Sequence, residues 1–579
     1  MKLTTLQKDR AAGVLLGQAI GDALGVPYEF GPKIAPGQAQ MIGGGLGPYA
    51  PGEWSDDTQM AVCIAEVTAS GADVTTDDGL RRVAERFVEW KAEGATDIGN
   101  QTRDVLSRAG RGTDLLTTMQ AASAEQAAQD RAGNGALMRT GIVGLVALGD
   151  ATKTADAAAR VASLTHAHPL CVESAILWSE AIREAVVHGW FDLRVGLRLL
   201  PRERQEGWSR WIREAETGAA DLTRNGFTVT ALQAAWWAIH STRHVQGPDH
   251  VEAALQAAIA IGHDTDTVAA IAGALLGARY GVSGLPSDLA RRVHGWPGLR
   301  GRDLVRLALA TATPGGTPPE SHLSGLSRPL GVPHPDDPGV ILGTEADLAR
   351  TRELGVTAVV SLCRVGASEV RAAGVEPGKH AEVWLIDKEE PDANAHLPWT
   401  LADAARTVAT LRDAGERVLV HCVHAHHRTP SVAMAYSRLR GVEAGAAERI
   451  QEALGPINGR LWRTASEPEA AALEARLDLL ESMWLASVRE ATYPGPNEYH
   501  RARRLSAPSL PREDVTALIG HDKAERLRAA ERALSQLDLM LGADLSQYRK
   551  DSEHLRRALL AWAAISPWKN EMWKDEEWT

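Results

Sequence analysis

Two short segments gather oxygen-bearing side chains at a density that a helix start does not need. GEWSDDTQM places Ser55, Asp56, Asp57 and Thr58 in a row, and GHDTDT places Asp264, Thr265, Asp266 and Thr267 in a row. Each stands immediately before an apolar helical run. Carboxylates and hydroxyls are ligands of hard cations such as Mg²⁺, Mn²⁺ or Ca²⁺. No Cys/His pairing accompanies them, which argues against zinc. One cluster alone reads as helix N-caps, because Asp and Thr favour that position. A cap needs one oxygen, however, and here four carboxylates gather. Two such clusters on neighbouring helix starts can hold a pair of cations, an arrangement that clamps a substrate and activates a water.

A second constellation lies in RVLVHCVHAHHRTPSVAMAYSRL: Cys422, five residues, then Arg428 and Thr429. An apolar strand ends at His421 and a helix begins near Thr429. That puts a loop of backbone N–H groups at a helix N-terminus, where anions bind. Arg428 can hold phosphate oxygens bidentately, and a cysteine in such a field is suited to react as thiolate. Two plainer readings stand beside this one. Cys422 could be an ordinary buried thiol, and His421, His424, His426 and His427 could suggest a metal site. Consecutive loop histidines point in different directions, and Arg428 would repel a cation.

The elements that must position these groups differ between the two halves. Residues 1–312 are rich in Ala and Leu with helical periodicity, for example over 58–67, 80–90, 228–239 and 268–280. In GQAIGDALGVPYEF (17–30), Gly17, Gly21 and Gly25 recur every fourth residue and form a smooth stripe for close helix packing; Asp22 and Glu29 are the acids in that apolar stretch. Residues 313–338 are dense in Pro and Gly and read as a linker. Short Val-rich runs at 355–363, 382–387 and 417–421 then alternate with helical stretches near 343–353, 399–414 and 429–440. This predicts a small α/β domain over 339–465. Residues 466–579 read as a charged helical extension without a chemical motif. The expected fold is therefore multidomain: all-α, then α/β, then helical.

The chain has 579 residues with a formal net charge of −12 and no long basic stripe, so nucleic acid is not an expected partner. The four cysteines are far apart and follow no disulfide framework. The N-terminal stretch lacks the order of a signal peptide. No uncharged apolar run reaches the roughly 18 residues that span a bilayer. A cytoplasmic enzyme without membrane contact is the expectation.

Seven ordered motifs in the first 300 residues resemble the ADP-ribosylglycohydrolase family. They are GQAIGDALGVPYEF, GEWSDDTQM, DIGNQT (97–102), GNGALMR (133–139), THAHP (165–169), GFTVTALQAAWWAI (226–239) and GHDTDTVAAIAGALLGARYG (262–281). The family includes the enzyme that removes ADP-ribose from an arginine of dinitrogenase reductase. The resemblance implies an all-α fold with two Mg²⁺ or Mn²⁺ ions. It carries the ligand role to Ser55, Asp56, Asp57, Asp264, Asp266 and Thr267; Ser55 stands where many members have Thr. Glu29 and Asp97 match acids near the reacting ribose. Asn134, Gly135, Met138 and His166 match positions lining the ADP-ribose cleft. The implied reaction is hydrolysis at the ribose C1″ of ADP-ribosylated protein, with arginine favoured, or of a related ADP-ribose conjugate.

The strand, His-Cys, five residues, Arg-Thr and helix resemble the cysteine-based phosphatases, nearest the dual-specificity group, over about 125 residues. Here Ala425 stands where many members have Gly, and His427 where many have Ser or Gly. The resemblance implies Cys422 as nucleophile, Arg428 on the phosphate and Thr429 assisting hydrolysis. Asp387, placed at a strand end 35 residues before Cys422, is the preferred general acid, with Asp392 the other candidate. A phosphoprotein or a phosphorylated small molecule is the implied substrate. Two alternatives follow: an ADP-ribose- or NAD-sensing module that regulates the phosphatase, and a phosphate-binding domain without catalysis.

Overall fold

Four glycines at every fourth position govern how the helical half is assembled. Helix α1 (Thr5–Gly25) begins with a capping box in which Thr4 and Gln7 satisfy each other's backbone N–H groups. It is buried without interruption from Ala11 to Gly25, the signature of a central helix. Gly13, Gly17, Gly21 and Gly25 face Gly277, Gly273, Ala269 and Asp266 of a second buried helix, numbered α3 below (Thr265–Tyr280). The descending order of the partners shows that the two helices run antiparallel. A Cβ at Gly21 would stand 2.0 Å from the Ala269 carbonyl oxygen, and one at Gly17 2.3 Å from that of Gly273. The backbones touch because no side chain separates them.

Around this pair pack α2 (Asp56–Ala69), α4 (Gly301–Ala312) and the helices Asp77–Glu93, Pro169–His188 and Thr228–Ser241, in one continuous apolar core. Trp90, Trp178 and Trp208 are fully buried, and each indole N–H has a partner: Gln59, the Ile271 carbonyl and Glu173. The four helices expected from periodicity in this half are present, each extended at one end or both by polar first-turn or last-turn residues.

The structure, a computed structural model, describes residues 2–109, 114–313, 321 and 323–468. Most of the stretch read as a C-terminal helical extension lies outside them. No helix among them is long and apolar enough to cross a membrane.

The second half carries a five-stranded sheet of β1 (Val332–His334), β2 (Asp337–Thr344), β3 (Ala358–Ser361), β4 (His380–Glu382) and β5 (Val418–Cys422), in the order β1-β2-β5-β3-β4. Only the β1–β2 pair is antiparallel. Alternate residues enter two cores: Val340, Val360 and Val420 on the face of helices α5 (Leu397–Asp413) and α6 (Arg428–Leu439), and Ile341, Val359 and Leu419 on the other.

Three details differ from the sequence expectation. The sheet starts at Val332, inside the Pro/Gly-dense stretch, because Val332–Pro333 pair with Ile341–Leu342. The helix expected near 343–353 is a short 3-10 turn, Glu345–Arg350, following a longer β2. The strand expected over 382–387 ends at Glu382: β3 ends at Ser361, whose carbonyl accepts the Val383 N–H, and no strand continues beside the rest.

The α/β half docks on the C-terminal end of α3 and the turn after it. Buried Asp403 accepts the Ser287 N–H at 2.9 Å, Ser287 Oγ meets Thr407 Oγ1 at 2.7 Å, and Thr400 donates to the Ser283 carbonyl at 2.9 Å.

Replacing Gly21 by Val forces α1 and α3 apart. It is expected to destabilise the protein by about 1–3 kcal/mol or more, read as a lower urea midpoint; an unchanged midpoint would show that the helices do not touch there.

Candidate functional site

The close approach of α1 and α3 brings Asp22 against the starts of α2 and α3. Asp22 Oδ1 accepts the Ser55 N–H at 2.8 Å, and its Oδ2 accepts the Thr58 N–H at 3.0 Å. Asp22 thus satisfies the α2 terminus, a task the local sequence leaves undone: the N-cap residue Ser55 makes no capping bond, and neither does Asp264 at α3. Capping therefore does not account for either cluster. The Ser55 hydroxyl instead lies 2.8 Å from Asp22 Oδ1 and 3.0 Å from Asp57 Oδ2.

Oxygens of Asp22, Asp57 and Asp266 lie within 4.8 Å of one another, and so do oxygens of Glu29, Asp264 and Asp266. Asp266 belongs to both groups. Asp56 belongs to neither, but its charge raises Asp57 and Glu29. Thr267 hydrogen-bonds Asp264. Burial is the first cause that lifts each of these acids, and mutual repulsion adds to it for most of them. Asp22 is pushed up to about 6 and Glu29 to about 9, while Asp56, Asp57 and Asp266 lie well above the usual carboxylate range.

Two oxygens, Asp57 Oδ1 and Asp266 Oδ1, are buried with no hydrogen-bond partner. Unpartnered buried carboxylate oxygens are costly without a compensating cation. A donor set made only of hard oxygens fits a divalent ion of the Mg²⁺ or Mn²⁺ kind.

The remaining expected residues surround this cluster. Asn134 Nδ2 donates to Asp264 at 2.7 Å and to the Asn225 carbonyl at 2.9 Å. Gly135 is required by proximity: a Cβ there would meet the His166 ring at 2.9 Å. Met138 is buried, and its carbonyl accepts from Gln18 at 3.2 Å. His166 is buried and held far below its usual range by desolvation, then by Arg139, so the ring is neutral. Arg139 donates to Thr165 Oγ1 at 2.7 Å, and that hydroxyl lies 2.7 Å from His166 Nδ1. Both contacts are served if Thr165 donates to Nδ1, leaving the proton on Nε2 beside Gly133 and Gly135. Asp97 is half-buried, and its charge raises Asp56 and Glu29.

Asp22 is not among the ligand positions that the family resemblance carries over. Its signal was an acid inside an all-apolar helix stripe. Asn225 was not singled out at all. It is buried, its Nδ2 donates to the Gly262 carbonyl at 3.0 Å and its Oδ1 accepts the Asp264 N–H at 3.2 Å, which sets the loop before α3.

In the other half, Cys422 is the last residue of β5 and is buried. The loop turns through Ala425, at φ 57°, whose N–H points at Cys422 Sγ at 3.2 Å. An alanine therefore occupies the left-handed position where glycine is easier. Arg428 opens α6; its Nη1 donates to the Leu362 carbonyl at 2.8 Å, and its Nε has no hydrogen-bond partner. Asp387 lies beyond the end of β4, 2.9 Å from His427 Nδ1 and 3.6 Å from Arg428 Nε. Asp392 is exposed on the 3-10 turn Pro391–Ala393. Thr429 turns its hydroxyl to the Gly343 carbonyl at 3.4 Å.

The structure thus defines a helical domain whose helix ends converge on a buried cluster of carboxylates that could hold a cation. Residues 3–318, more than half of the chain, match the family described as ADP-ribosylglycohydrolase. The chain belongs to that family. It is 28% identical over 288 residues to the ADP-ribosylarginine hydrolase Tri1 of Serratia proteamaculans, covering 48% of this chain and 73% of that one. To the protein of the same name from Pseudomonas putida it is 31% identical over 321 residues, covering 49% and 74%. To the ADP-ribosyl-[dinitrogen reductase] glycohydrolase of Rhodospirillum rubrum it is 26% identical over 284 residues, covering 48% and 88%. The family match ends before the sheet begins.

Mg²⁺ or Mn²⁺ is expected to raise the melting temperature, and EDTA to reverse the rise. Asp22→Asn should remove most of that shift and Asp97→Asn keep it; a full shift in Asp22→Asn, read by scanning fluorimetry, would exclude Asp22 from the cation site.

Proposed function

We propose that the helical half removes ADP-ribose from arginine side chains of modified protein, in a cleft that holds two Mg²⁺ or Mn²⁺ ions. The two overlapping carboxylate groups that share Asp266 carry this reading. The names of the Serratia and Pseudomonas relatives support the arginine linkage. Ser55, Asp56, Asp57, Asp264, Asp266 and Thr267 hold the ions, joined by Asp22 and Glu29. Divalent ions held there would supply Lewis acidity toward the ribose oxygens and would lower the pKa of a water toward neutrality.

The protein's own groups do the rest. Asn134 and Asn225 fix the Asp264 carboxylate and the loop before it. The neutral His166 offers its Nε2 proton to an acceptor in the cleft. Asp97, half-buried and close enough to raise Asp56 and Glu29, favours positive charge developing at C1″. Water oxygen bonds to C1″, the C1″–nitrogen bond breaks, and the guanidine leaves with a proton as guanidinium.

In Mg²⁺ buffer the full chain is expected to release ADP-ribose from ADP-ribosylarginine. Asp57→Ala and Asp266→Ala should each lower the rate by about 100-fold or more, and Asn134→Ala by about 10–100-fold, the range for a residue behind a ligand. Retained binding of ADP-ribose with no release in the wild type would favour a sensing module instead.

The loop from Cys422 to Arg428 supports a second activity, hydrolysis of phosphate esters on a phosphoprotein or a phosphorylated small molecule. The observation that favours it is the pairing of an N–H directed at Cys422 Sγ with a helix-start Arg428 whose Nε makes no hydrogen bond and lies 3.6 Å from Asp387. The sulfur attacks phosphorus, the ester oxygen leaves with a proton from Asp387, and water then splits the S–P bond. Wild-type protein is expected to release phosphate from p-nitrophenyl phosphate and to be inhibited by vanadate. Cys422→Ser should abolish this and leave ADP-ribose release unchanged; phosphate binding without turnover in the wild type would mark a non-catalytic domain.

A further inference from the structure

Between the two halves lies a cavity of about 440 Å³, within the roughly 300–1,000 Å³ usual for small-molecule sites. The helical half supplies Leu16, Val282, Ala290, Arg291, Arg300 and the start of α4; the α/β half supplies the chain after β3, the chain leaving β4, and Val423 and Arg428 beside the Cys422 loop. Six arginines line it: Arg291, Arg300, Arg302, Arg306, Arg364 and Arg428. Only three acids do: Asp303, Glu382 and Asp387.

These acids are largely committed elsewhere. Glu382 accepts the Val365 N–H at 2.8 Å, Asp303 the Arg300 N–H at 2.9 Å, and Asp387 faces His427. Arg291 is occupied by Asp288 and the Gly378 carbonyl. Arg302 and Arg306, one turn apart on α4, make no side-chain hydrogen bond or ion pair among the described residues.

The unpartnered buried atoms of the lining sharpen this. They are Arg302 Nη1, Arg306 Nε, Arg428 Nε and Trp384 Nε1, together with His380 Nδ1. The first four can only donate. His380, which also lines the cavity, is 3% exposed; its Nε2 faces Ser361 Oγ at 2.7 Å and its Nδ1 has no hydrogen-bond partner. No fully buried carboxylate oxygen of the lining is left unpartnered among the described residues. Crowded cations add to the demand: Arg300 is lowered by burial and by Arg302, and Arg364 by burial and also by Arg306. Aliphatic walls from Leu16, Val282, Val305, Val383, Leu385 and Ile386 separate the charged groups. A ligand that answers both features is rich in acceptors, negatively charged and attached to an apolar body.

We propose that this cavity binds a phosphorylated small molecule with an apolar body. Its phosphoryl oxygens take the free donors of Arg302 and Arg306 and approach the Arg428 guanidinium, whose Nε lies 3.6 Å from Asp387, and its apolar body lies against the aliphatic walls. Placing the phosphoryl group beside Arg428 rests on reading the Cys422 loop as an anion site, and it makes the cavity the substrate pocket of that loop. The two α4 arginines then select the ligand from the helical half, as positioning residues for chemistry on the other half.

The test uses 1-naphthyl phosphate, 1-naphthol and inorganic phosphate, measured by calorimetry on the full-length Cys422→Ser protein so that turnover does not consume the ester. The ester is expected to bind at least about tenfold more tightly than either part. Arg302→Ala and Arg306→Ala should each weaken it about tenfold or more, the scale of one charge-assisted hydrogen bond. Val305→Trp, which fills the cavity and removes no cation, should abolish binding. Release of ADP-ribose from ADP-ribosylarginine by the same variants with Cys422 restored reports that the helical half is folded. No binding of the ester, equal binding of inorganic phosphate, or wild-type affinity in Val305→Trp overturns the proposal. The two readings fail separately. Ester binding without turnover in the wild type removes the phosphatase reading and keeps the cavity. Turnover of p-nitrophenyl phosphate with KM unchanged in Arg302→Ala and Arg306→Ala keeps the chemistry and removes the cavity.

Discussion

The backbone contact between α1 and α3 is the constraint from which the catalytic half follows. Glycines at four successive turns of α1 let the two helices touch without intervening side chains. Any Cβ on that line would push α3 outward, and the start of α3 carries Asp264, Asp266 and Thr267. Gly25 is the most telling case, because a Cβ there would sit 2.5 Å from the Asp266 Cα. The same contact sets Asp22, one turn before Gly25, against the start of α2. One packing seam therefore fixes the mutual distance of acids drawn from three helices.

The acids so assembled are poor company for one another. Each is desolvated and most are raised further by their neighbours, so the cluster without a counter-charge favours protonated carboxyls. Divalent cations reverse that preference and restore the charged form. The backbone donors already given to Asp22 by Ser55 and Thr58 supply part of the compensation from within the fold. Elements that look structural, such as the Asn134–Asp264 and Asn225–Asp264 contacts, orient oxygens that would otherwise repel and disperse.

The α/β half follows a different economy. Its sheet is buried on both faces, and its cysteine loop ends a central strand, where parallel sheets place their ligands. The polar contacts of Asp403, Thr400 and Thr407 with Ser287 and Ser283 lock it to the turn after α3, the end of the helix opposite Asp266. Helix α3 thus touches the carboxylate cluster with one end and leads into the docking turn with the other.

Much of this was legible in the sequence, for local reasons. The doubled Asp/Thr clusters, the fourth-residue glycine stripe and the helical periodicities each depend on neighbours within a few turns, and the ordered motifs identified the family. The switch to alternating Val-rich runs announced the sheet, although β4 stopped short of Asp387 because strand length is set by the partner strand and not by the segment itself. Asp22 was readable as an acid in an apolar stripe, but its role needed the distance to Asp57 and Asp266, which lie far along the chain. Asn225 carried no local signal, since one Asn in a loop is common. The arginine-lined cavity was equally invisible: its cations come from residues 291–306 of the helical half and from Arg364 and Arg428 of the α/β half. The sequence determines which groups are present and how each helix or strand is faced. Only the tertiary structure decides which charges share a desolvated space, because Coulomb energies and burial depend on distances that close between segments remote in the chain.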